Sequence, residues 1–228
     1  MGGARSPGKG ETKHQILLVD DHPILREGLS QLINQEPDLH TCGETDCINE
    51  TLDLINKLRP DLIVVDISLQ GANGIELIKQ IKNQNPTVHI LTLSVHDEVL
   101  YGERALRAGA QGYVMKQAST DEVISAIRTV LRGGRYLSRR MQDTMLDKAT
   151  TGASGLPIEQ LSDRELEVFQ LIGAGLGTRQ IARRLHLSIK TIETYRAHIK
   201  EKLKLRTGMQ LVRLAVEMVS QRSREGLT

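Results

Sequence analysis

Between residues 15 and 132, short apolar runs rich in β-branched residues alternate with segments whose apolar residues recur every three to four positions. The short runs are typical of buried strands, and the spaced segments are typical of helices that pack by one face. Strands that alternate with helices form a parallel sheet covered on both faces. We therefore predict five helices and five strands, the strands at Ile16–Val19, Leu39–Cys42, Leu62–Val65, His89–Leu93 and Gly112–Met115.

Polar residues occupy the ends of four of these strands. Asp20 and Asp21 end the first strand, Asp66 the third, Ser94 the fourth and Lys116 the fifth. Each residue alone is typical of a strand end that meets water. Open parallel sheets, however, bind their ligands at the carboxyl ends of the strands, and five such groups at one edge favour a shared site.

The types of these side chains fit phosphoryl transfer to a carboxylate. Mg²⁺ prefers oxygen ligands and keeps several waters, so two or three carboxylates suffice to hold it. A bound cation would also explain why Asp20 and Asp21 are adjacent, since ionised carboxylates repel each other. Lys116 would add a second positive contact, and Ser94 can bond a phosphoryl oxygen. Asp66, on the central strand, is the candidate nucleophile.

Residues 15–133 closely resemble the receiver domain of bacterial two-component response regulators, which has a five-stranded, doubly wound, flavodoxin- or CheY-like α/β fold. The resemblance rests on the motifs LLVDDHPILREGL, PDLIVVDISLQGANGIEL, ILTLSVHDE and GAQGYVMKQAS, which occur in the family's order and spacing. The chain departs from the family at Gln70 and Gly71, in the loop where Pro is usual, and at Gln117, where many members have Pro.

This resemblance implies specific roles for the residues at the strand ends. Asp66 would accept a phosphoryl group from a sensor histidine kinase, and the chain would catalyse only this transfer to itself. Ser94 and Lys116 would contact the phosphoryl group, and Tyr113 would be the aromatic that reorients on activation, with ordinary core packing as its alternative. The implied Mg²⁺ ligands are Asp20, Asp21, Asp66 and the backbone carbonyl of Ser68.

Residues 161–220 have the pattern of four helices and contain no convincing strand. Ser162 and Glu165 form the sequence signature of a capping box at the start of the first helix. The segments TRQIARRLHL and SIKTIETYRAHIKEKLKL read as two helices joined by the tight turn LHLS, which is a helix-turn-helix. The segment TGMQLVRLAVEMVSQ forms the fourth helix, so the second domain is predicted to be all-α.

A net charge of +2 for the whole chain conceals a difference between its two halves. Residues 156–228 contain 13 Lys and Arg residues against 8 Asp and Glu residues, whereas residues 1–155 contain 17 against 20. This asymmetry indicates a polyanionic partner for the C-terminal part. Lys and Arg side chains can bind phosphates, whereas Glu193, Thr194 and Ala197 can address base edges or a thymine methyl group. The candidate DNA-binding residues are Thr178, Arg179, Lys190, Thr191, Glu193, Thr194, Arg196, Ala197, Lys200 and Lys204.

Residues 158–220 also resemble a known family, the DNA-binding domains of the NarL/FixJ–LuxR class. The chain departs from that class at Tyr195, where His is common, and at Gly177, an N-cap position where Ser is usual. The resemblance implies that the fourth helix forms a homodimer contact. The apolar stripe assigned to it is Leu211, Leu214, Ala215 and Met218, although the domain's own core could use some of these residues.

The remaining segments set the domain boundaries. We interpret residues 1–14 as a disordered leader without a secretory signal, 15–133 as the receiver domain and 134–157 as a linker in which 138–148 can form a helix. The DNA-binding domain is assigned to 158–222. Two cysteines without paired spacing, Cys42 and Cys47, are typical of reduced thiols, and we expect a cytoplasmic protein.

Taken as a whole, the sequence predicts a transcription factor in which phosphorylation of Asp66 controls dimerisation and DNA binding. Its expected partners are DNA with two half-sites, a sensor histidine kinase, a second copy of the chain and RNA polymerase. One alternative is a regulator of the same fold that works without phosphorylation. Another is a small phosphohydrolase that uses Asp66, although Ser68 stands where its general acid would be needed.

Overall fold

The computed structural model describes residues 13–69, 72–151 and 157–225. The five predicted strands are confirmed, three of them with longer bounds, and the structure adds a pair of two-residue strands after Asp66. The predicted leader falls mostly on residues 1–12, which lie outside the described residues, and His14 already belongs to the first strand. The strands are β1 His14–Val19, β2 Leu39–Thr45, β3 Leu62–Val65, β4 Ser68–Leu69, β5 Ala72–Asn73, β6 His89–Ser94 and β7 Gly112–Met115.

The five long strands form one parallel sheet in the order β2-β1-β3-β6-β7. Strands β1 and β3 are therefore neighbours at the centre, although β2 lies between them in the sequence. Val19 pairs with Val65, so the residues that follow them, Asp20 and Asp66, leave adjacent strands at the same edge. The reversal of strand order at β1 and β3 is where sheets of this kind bind ligands.

Helices cover both faces of this sheet, as predicted. In the N-terminal module, defined here as residues 15–133, alternate strand residues point to opposite faces, and Ile16 and Leu18 pack on one side while Leu17 and Val19 pack on the other. All four of these side chains are buried. The helices of this module are α1 Pro23–Gln35, α2 Ile48–Leu58, α3 Gly74–Gln84, α4 Glu98–Ala108 and α5 Thr120–Leu131.

The segment after β3 is held close to the sheet by a glycine. Gly74, the first residue of α3, donates a backbone hydrogen bond to Ile67 at 2.9 Å. A Cβ atom at this position would overlap with the backbone oxygen of Asp66 and would lie 2.7 Å from Cα of Ile67. Only a residue without a side chain lets the start of α3 pack this closely against the backbone of Asp66.

The C-terminal module, residues 158–222, is helical throughout its described part. The capping box is confirmed: Ser162 N donates to Glu165 Oε2 at 2.7 Å, and Glu165 N donates to Ser162 Oγ at 3.3 Å. The helix predicted in the linker is also present, as α6. The remaining helices are α6 Arg139–Thr151, the 3₁₀ helix Pro157–Gln160, α7 Asp163–Gly173, α8 Thr178–Arg184, α9 Ile189–Lys202 and α10 Gly208–Glu225.

Helices α8 and α9 form the predicted helix-turn-helix. His186 takes a left-handed conformation in the turn, with φ of 53°, and Ser188 caps α9 by accepting a hydrogen bond from Thr191 N at 3.0 Å. Helix α9 ends earlier than predicted, because Lys204 has φ of 54° and turns the chain away from the helix. Lys204 therefore lies beyond α9, although the sequence pattern predicted it within this helix.

The two modules pack against each other. Helix α6 lies on α4, where buried Met141 sits against Gly102. Ile158 and Phe169 are also buried, and they belong to the same cluster of apolar side chains as Tyr101 of α4. One continuous core thus extends from the sheet of the N-terminal module into the C-terminal module.

Candidate functional site

The structure gathers the predicted carboxylates and lysine at the carboxyl edge of the sheet. Lys116 Nζ lies 2.6 Å from Asp20 Oδ2 and 2.7 Å from Asp66 Oδ2. The side chains of Asp66 and Asp20 are only 0% and 8% exposed, so both acids depend on this ammonium for compensation of their charge. Asp21 is somewhat more accessible, with 14% of its side chain exposed.

The electrostatics of Asp66 follow from its burial. Loss of hydration raises the pKa of Asp66 to about 6, although the ammonium of Lys116 acts in the opposite direction. Its Oδ1 accepts a hydrogen bond from Ser68 N at 3.1 Å, while its Oδ2 faces Lys116. This carboxylate is thus fixed in orientation and has a cation beside it, as a nucleophile for phosphoryl transfer requires.

The residues at this edge fit a divalent cation. Asp21 Oδ1 is buried, and the His22 ring lies beside it, with Nδ1 at 2.7 Å, within ion-pair distance. One ligand atom from each of Asp20, Asp21, His22 and Asp66 can be chosen so that all lie within 4.8 Å of one another. His22 was missed in the sequence, although it directly follows the two aspartates. The carboxylate oxygens of the three aspartates are the type of ligand that Mg²⁺ prefers.

Ser94 and Tyr113 lie buried behind this pocket. Ser94 Oγ accepts a hydrogen bond from His96 N at 3.2 Å, and Tyr113 Oη donates to the backbone oxygen of His96 at 2.8 Å. Both predicted residues therefore hold the loop between β6 and α4. In this conformation the Tyr113 ring packs inside the core. Core packing was the alternative to a switch role that the sequence left open for this residue.

His96 connects the pocket to the C-terminal module, and sequence reasoning missed it. Its Nε2 lies 2.8 Å from Ser68 Oγ, and its ring stacks on Tyr101 with 4.5 Å between centroids. Tyr101 Oη in turn donates to Gln170 Oε1 of α7 at 3.0 Å. Burial lowers the pKa of His96 to about 4, so the imidazole is neutral near pH 7. The signal available in the sequence was the position of His96, two residues after Ser94.

A second set of contacts between the modules is ionic. Arg104 of α4 donates to the backbone oxygen of Leu161 at 2.7 Å and to Asp163 Oδ1 at 3.0 Å. It also donates to the backbone oxygens of Ile158 and Glu159 at 3.3 and 3.2 Å. Lys79 of α3 reaches Asp163 Oδ2 at 3.1 Å. We call this group, Lys79, Arg104 and Asp163 with the carbonyls that Arg104 binds, the Arg104 clamp.

Most of the predicted DNA-binding positions are open to solvent while the modules are packed together. Ile192 and Ile199 of α9 face the core, so the opposite face of the helix points outward. Thr178, Thr191, Arg196 and Lys200 are half-buried. The exposed positions are Arg179, Lys190, Glu193, Thr194, Ala197 and Lys204.

The apolar stripe predicted on the last helix is only partly available to a second chain. Leu211 and Ala215 are completely buried in the core of the C-terminal module, because α10 packs on α7. Leu214 and Met218 are half-buried against the same core. The assignment of Leu211 and Ala215 to a dimer contact is therefore corrected. The exposed apolar residues of α10 are Met209, Val212 and Val216, at 82%, 39% and 39%.

Within residues 13–69, 72–151 and 157–225, no helix combines the length and the apolar content that crossing a membrane would require. The departures at Gln70 and Gly71 lie outside these ranges, so the structure does not bear on them.

Two family models match the chain, one for each module. The model described as "Response regulator receiver domain" matches residues 16–128. The model described as "Bacterial regulatory proteins, luxR family" matches residues 159–215. The order of the two matches along the chain is the order of the modules in the structure.

Similar proteins extend over both modules. Oxygen regulatory protein NreC of Staphylococcus carnosus is 33% identical over 210 residues, which are 89% of this chain and 97% of that protein. Response regulator GacA of Pseudomonas aeruginosa is 32% identical over 203 residues, which are 89% and 95% of the two chains. A solved structure of RcsB from Salmonella enterica serovar Typhimurium, bound to promoter rprA with phosphomimetic BeF₃⁻, is 25% identical with a TM-score of 0.61. That match covers 89% of this chain and 98% of the RcsB chain.

Proposed function

Because this chain belongs to the response regulators that join a receiver domain to a LuxR-type DNA-binding domain, we propose that phosphorylation of Asp66 controls its binding to DNA. The phosphoryl donor is a sensor histidine kinase, and the result is control of transcription. The observation that carries this proposal is the buried Asp66 carboxylate, with Lys116 Nζ at 2.7 Å, at the edge of the sheet where ligands bind.

In the proposed reaction, a carboxylate oxygen of Asp66 attacks the phosphorus atom of a phosphohistidine. An O–P bond forms while the N–P bond breaks, and the imidazole leaves with the electron pair of that bond. Asp20, Asp21, Asp66 and the backbone carbonyl of Ser68 would hold Mg²⁺, which when bound would supply positive charge to offset the charge on the phosphoryl oxygens. Lys116 provides a second positive charge beside Asp66, and Ser94 provides a hydroxyl donor.

The contacts of His96 suggest how the signal leaves the pocket. A phosphoryl group on Asp66 adds negative charge and strong hydrogen-bond acceptors beside Ser68, whose backbone N–H is bonded to Asp66 and whose Oγ is bonded to His96. Ser68 contacts the ring of His96, whereas Ser94 and Tyr113 bond to its backbone. Movement of any of these three residues therefore displaces His96. His96 stacks on Tyr101, which holds Gln170, so its displacement loosens the contact between the domains.

The Arg104 clamp gives a test of the packing between the two modules. Arg104→Ala removes the hydrogen bonds of a charged group to α7 and to the 3₁₀ helix, a loss of about 1.5–3 kcal/mol. We therefore expect hydrogen exchange of backbone amides in the 3₁₀ helix and at the start of α7 to be about 10- to 100-fold faster than in the wild type. A larger radius of gyration in small-angle X-ray scattering should accompany this change.

Arg107→Ala is the matched control, because Arg107 is also on α4 but is 79% exposed and forms its ion pair with Glu103 within that helix. Its exchange rates should stay near those of the wild type, since such exposed pairs contribute little. Equal rates in the two variants would contradict the role given to the clamp.

For DNA recognition, we place α9 in the major groove. Its exposed Glu193, Thr194 and Ala197 lie on one face and would meet base edges, whereas Lys190 and Lys200 at the margins would bind phosphates. A homodimer would use the exposed face of α10, where Met209, Val212 and Val216 form one stripe. A dimer of this kind reads two half-sites about one helical turn apart. Contacts with a kinase and with RNA polymerase stay predictions.

The experiment that tests the proposed function is selection of genomic DNA by the full chain, with and without Mg²⁺ and a small phosphodonor. We expect the treated protein to retain a set of fragments that share a two-half-site motif, with a clear gain over untreated protein. Equal recovery under both conditions would contradict phosphorylation control and would favour the regulator that works without phosphorylation. Failure to retain any common motif would contradict the DNA-binding function itself.

A further inference from the structure

His22 places a nitrogen donor among the carboxylates of the acidic pocket. Its Nδ1 lies 2.7 Å from Asp21 Oδ1, 3.2 Å from Asp20 Oδ1 and 3.9 Å from Asp66 Oδ2. The residue is the N-cap of α1, where its backbone N–H donates to Asp20 Oδ1 at 2.8 Å and Pro23 begins the helix. The backbone at His22 is thus fixed by its neighbours, while the side chain is 60% exposed and can adjust.

The carboxylates of this pocket differ in the hydrogen bonds and ion pairs that their oxygens form. Asp66 accepts from Ser68 N and from Lys116, and Asp20 accepts from His22 N and lies 2.6 Å from Lys116. Asp21 Oδ1, in contrast, is buried, and its partner in the described part of the chain is the His22 ring, whose Nδ1 lies 2.7 Å away. The carboxylate oxygen that neither Lys116 nor a backbone N–H contacts is therefore the one closest to the His22 ring nitrogen.

The spacing of these atoms suits two ligands of one ion. Neighbouring ligands in octahedral coordination, each about 2.1 Å from the metal, lie about 3 Å apart. The distances of 2.7 and 3.2 Å from His22 Nδ1 to Asp21 Oδ1 and Asp20 Oδ1 bracket that value. An ion bound to Asp21 could therefore take His22 as a further ligand after a small adjustment of the exposed ring.

We propose that His22 is a metal ligand of this pocket, which enables it to bind borderline transition ions such as Co²⁺, Ni²⁺ and Zn²⁺ in addition to Mg²⁺. Imidazole is a preferred ligand for transition ions of this class, whereas Mg²⁺ selects carboxylate, carbonyl and water oxygens. The proposal rests on the proposed function only in assuming that Asp21 and Asp66 hold a divalent ion. The choice of ion depends on His22 because it is the nitrogen donor among the four residues.

The test is calorimetric titration of the full chain with Co²⁺ and, separately, with Mg²⁺. His22→Ala should weaken Co²⁺ binding by at least about 10-fold, since loss of even an outer-shell partner of a metal has an effect of this size. Binding of Mg²⁺ should change by less than about threefold, because its oxygen ligands stay in place. His40→Ala is the matched control, since His40 is an exposed histidine of the same domain that bonds Asn34, and it should leave both affinities unchanged.

A spectroscopic readout separates ligation from a general loss of affinity. In the Co²⁺ complex, the Nε2–H of a bound His22 should give a hyperfine-shifted, solvent-exchangeable proton resonance that is present in His40→Ala and absent in His22→Ala. Equal losses of Co²⁺ and Mg²⁺ affinity in His22→Ala, or a spectrum that the substitution does not alter, would overturn the proposal. If wild-type protein instead bound neither ion and Mg²⁺ did not support phosphorylation of Asp66, the proposed function would fail together with it.

Discussion

An Asp66→Asn variant should gain no phosphoryl group when it is incubated with Mg²⁺ and a small phosphodonor, whereas the wild type should gain one. The amide of asparagine has nearly the shape of the carboxylate, but it is uncharged and a poor nucleophile. The amide oxygen in this variant can still accept the hydrogen bond from Ser68 N, and Lys116 keeps Asp20 as its partner at 2.6 Å. Intact-protein mass spectrometry measures the difference directly, and we expect complete loss.

The control for this experiment is Asp53→Asn, which changes an exposed carboxylate on α2 in the same domain. It should take up one phosphoryl group, as the wild type does. Thermal unfolding of both variants should confirm that each is folded. Retention of the mass gain in Asp66→Asn would show that another residue is the acceptor, and the proposed function would then lose its central residue.

A Gly74→Ala variant should be strongly destabilised, by about 3 kcal/mol in the free energy of unfolding. The added methyl group would overlap with the backbone oxygen of Asp66, and neither this strand end nor the start of α3 can move without loss of buried contacts. Overpacking against a rigid backbone costs about this much. Urea denaturation measures the change in stability. We also expect slower phosphorylation of Asp66, because the backbone of Asp66 must shift to accommodate the added methyl group.

Gly28→Ala provides the opposite result as a control. Gly28 lies on the exposed side of α1, and a Cβ there would have no atom within 4 Å. The substitution should stabilise the protein by about 0.5–1 kcal/mol, since alanine favours a helix over glycine. If Gly74→Ala behaved like Gly28→Ala, the close packing of α3 on Asp66 would not exist in solution.

The acidic pocket could be predicted because its residues lie at positions that the strand pattern defines. A strand has a two-residue period, and the buried runs that end at Val19 and Val65 fix where Asp20 and Asp66 emerge. The capping box at Ser162 was predictable for a similar reason, because its geometry depends on residues only three positions apart. Local rules suffice wherever the partners are close in sequence or held by regular structure.

The sequence did not reveal features that depend on packing between distant segments. The burial of Leu211 and Ala215 is decided by the docking of α10 on α7, and a helical stripe alone does not distinguish a core face from a dimer face. The role of Arg104 depends on carbonyls more than 50 residues away in the chain. His22 was overlooked because its backbone role as an N-cap gives no sign of where the ring points.

The outward position of α9 has a consequence for how a signal can act. Arg179, Lys190 and Lys204 are exposed while the domains are docked, so electrostatic encounter with a duplex does not require prior phosphorylation. On the proposed function, we therefore expect an unmodified chain to scan chromosomal DNA by brief, sequence-independent visits. Modification would then act mainly on how long a visit lasts at the right site, through the dissociation rate, and much less on how often visits occur.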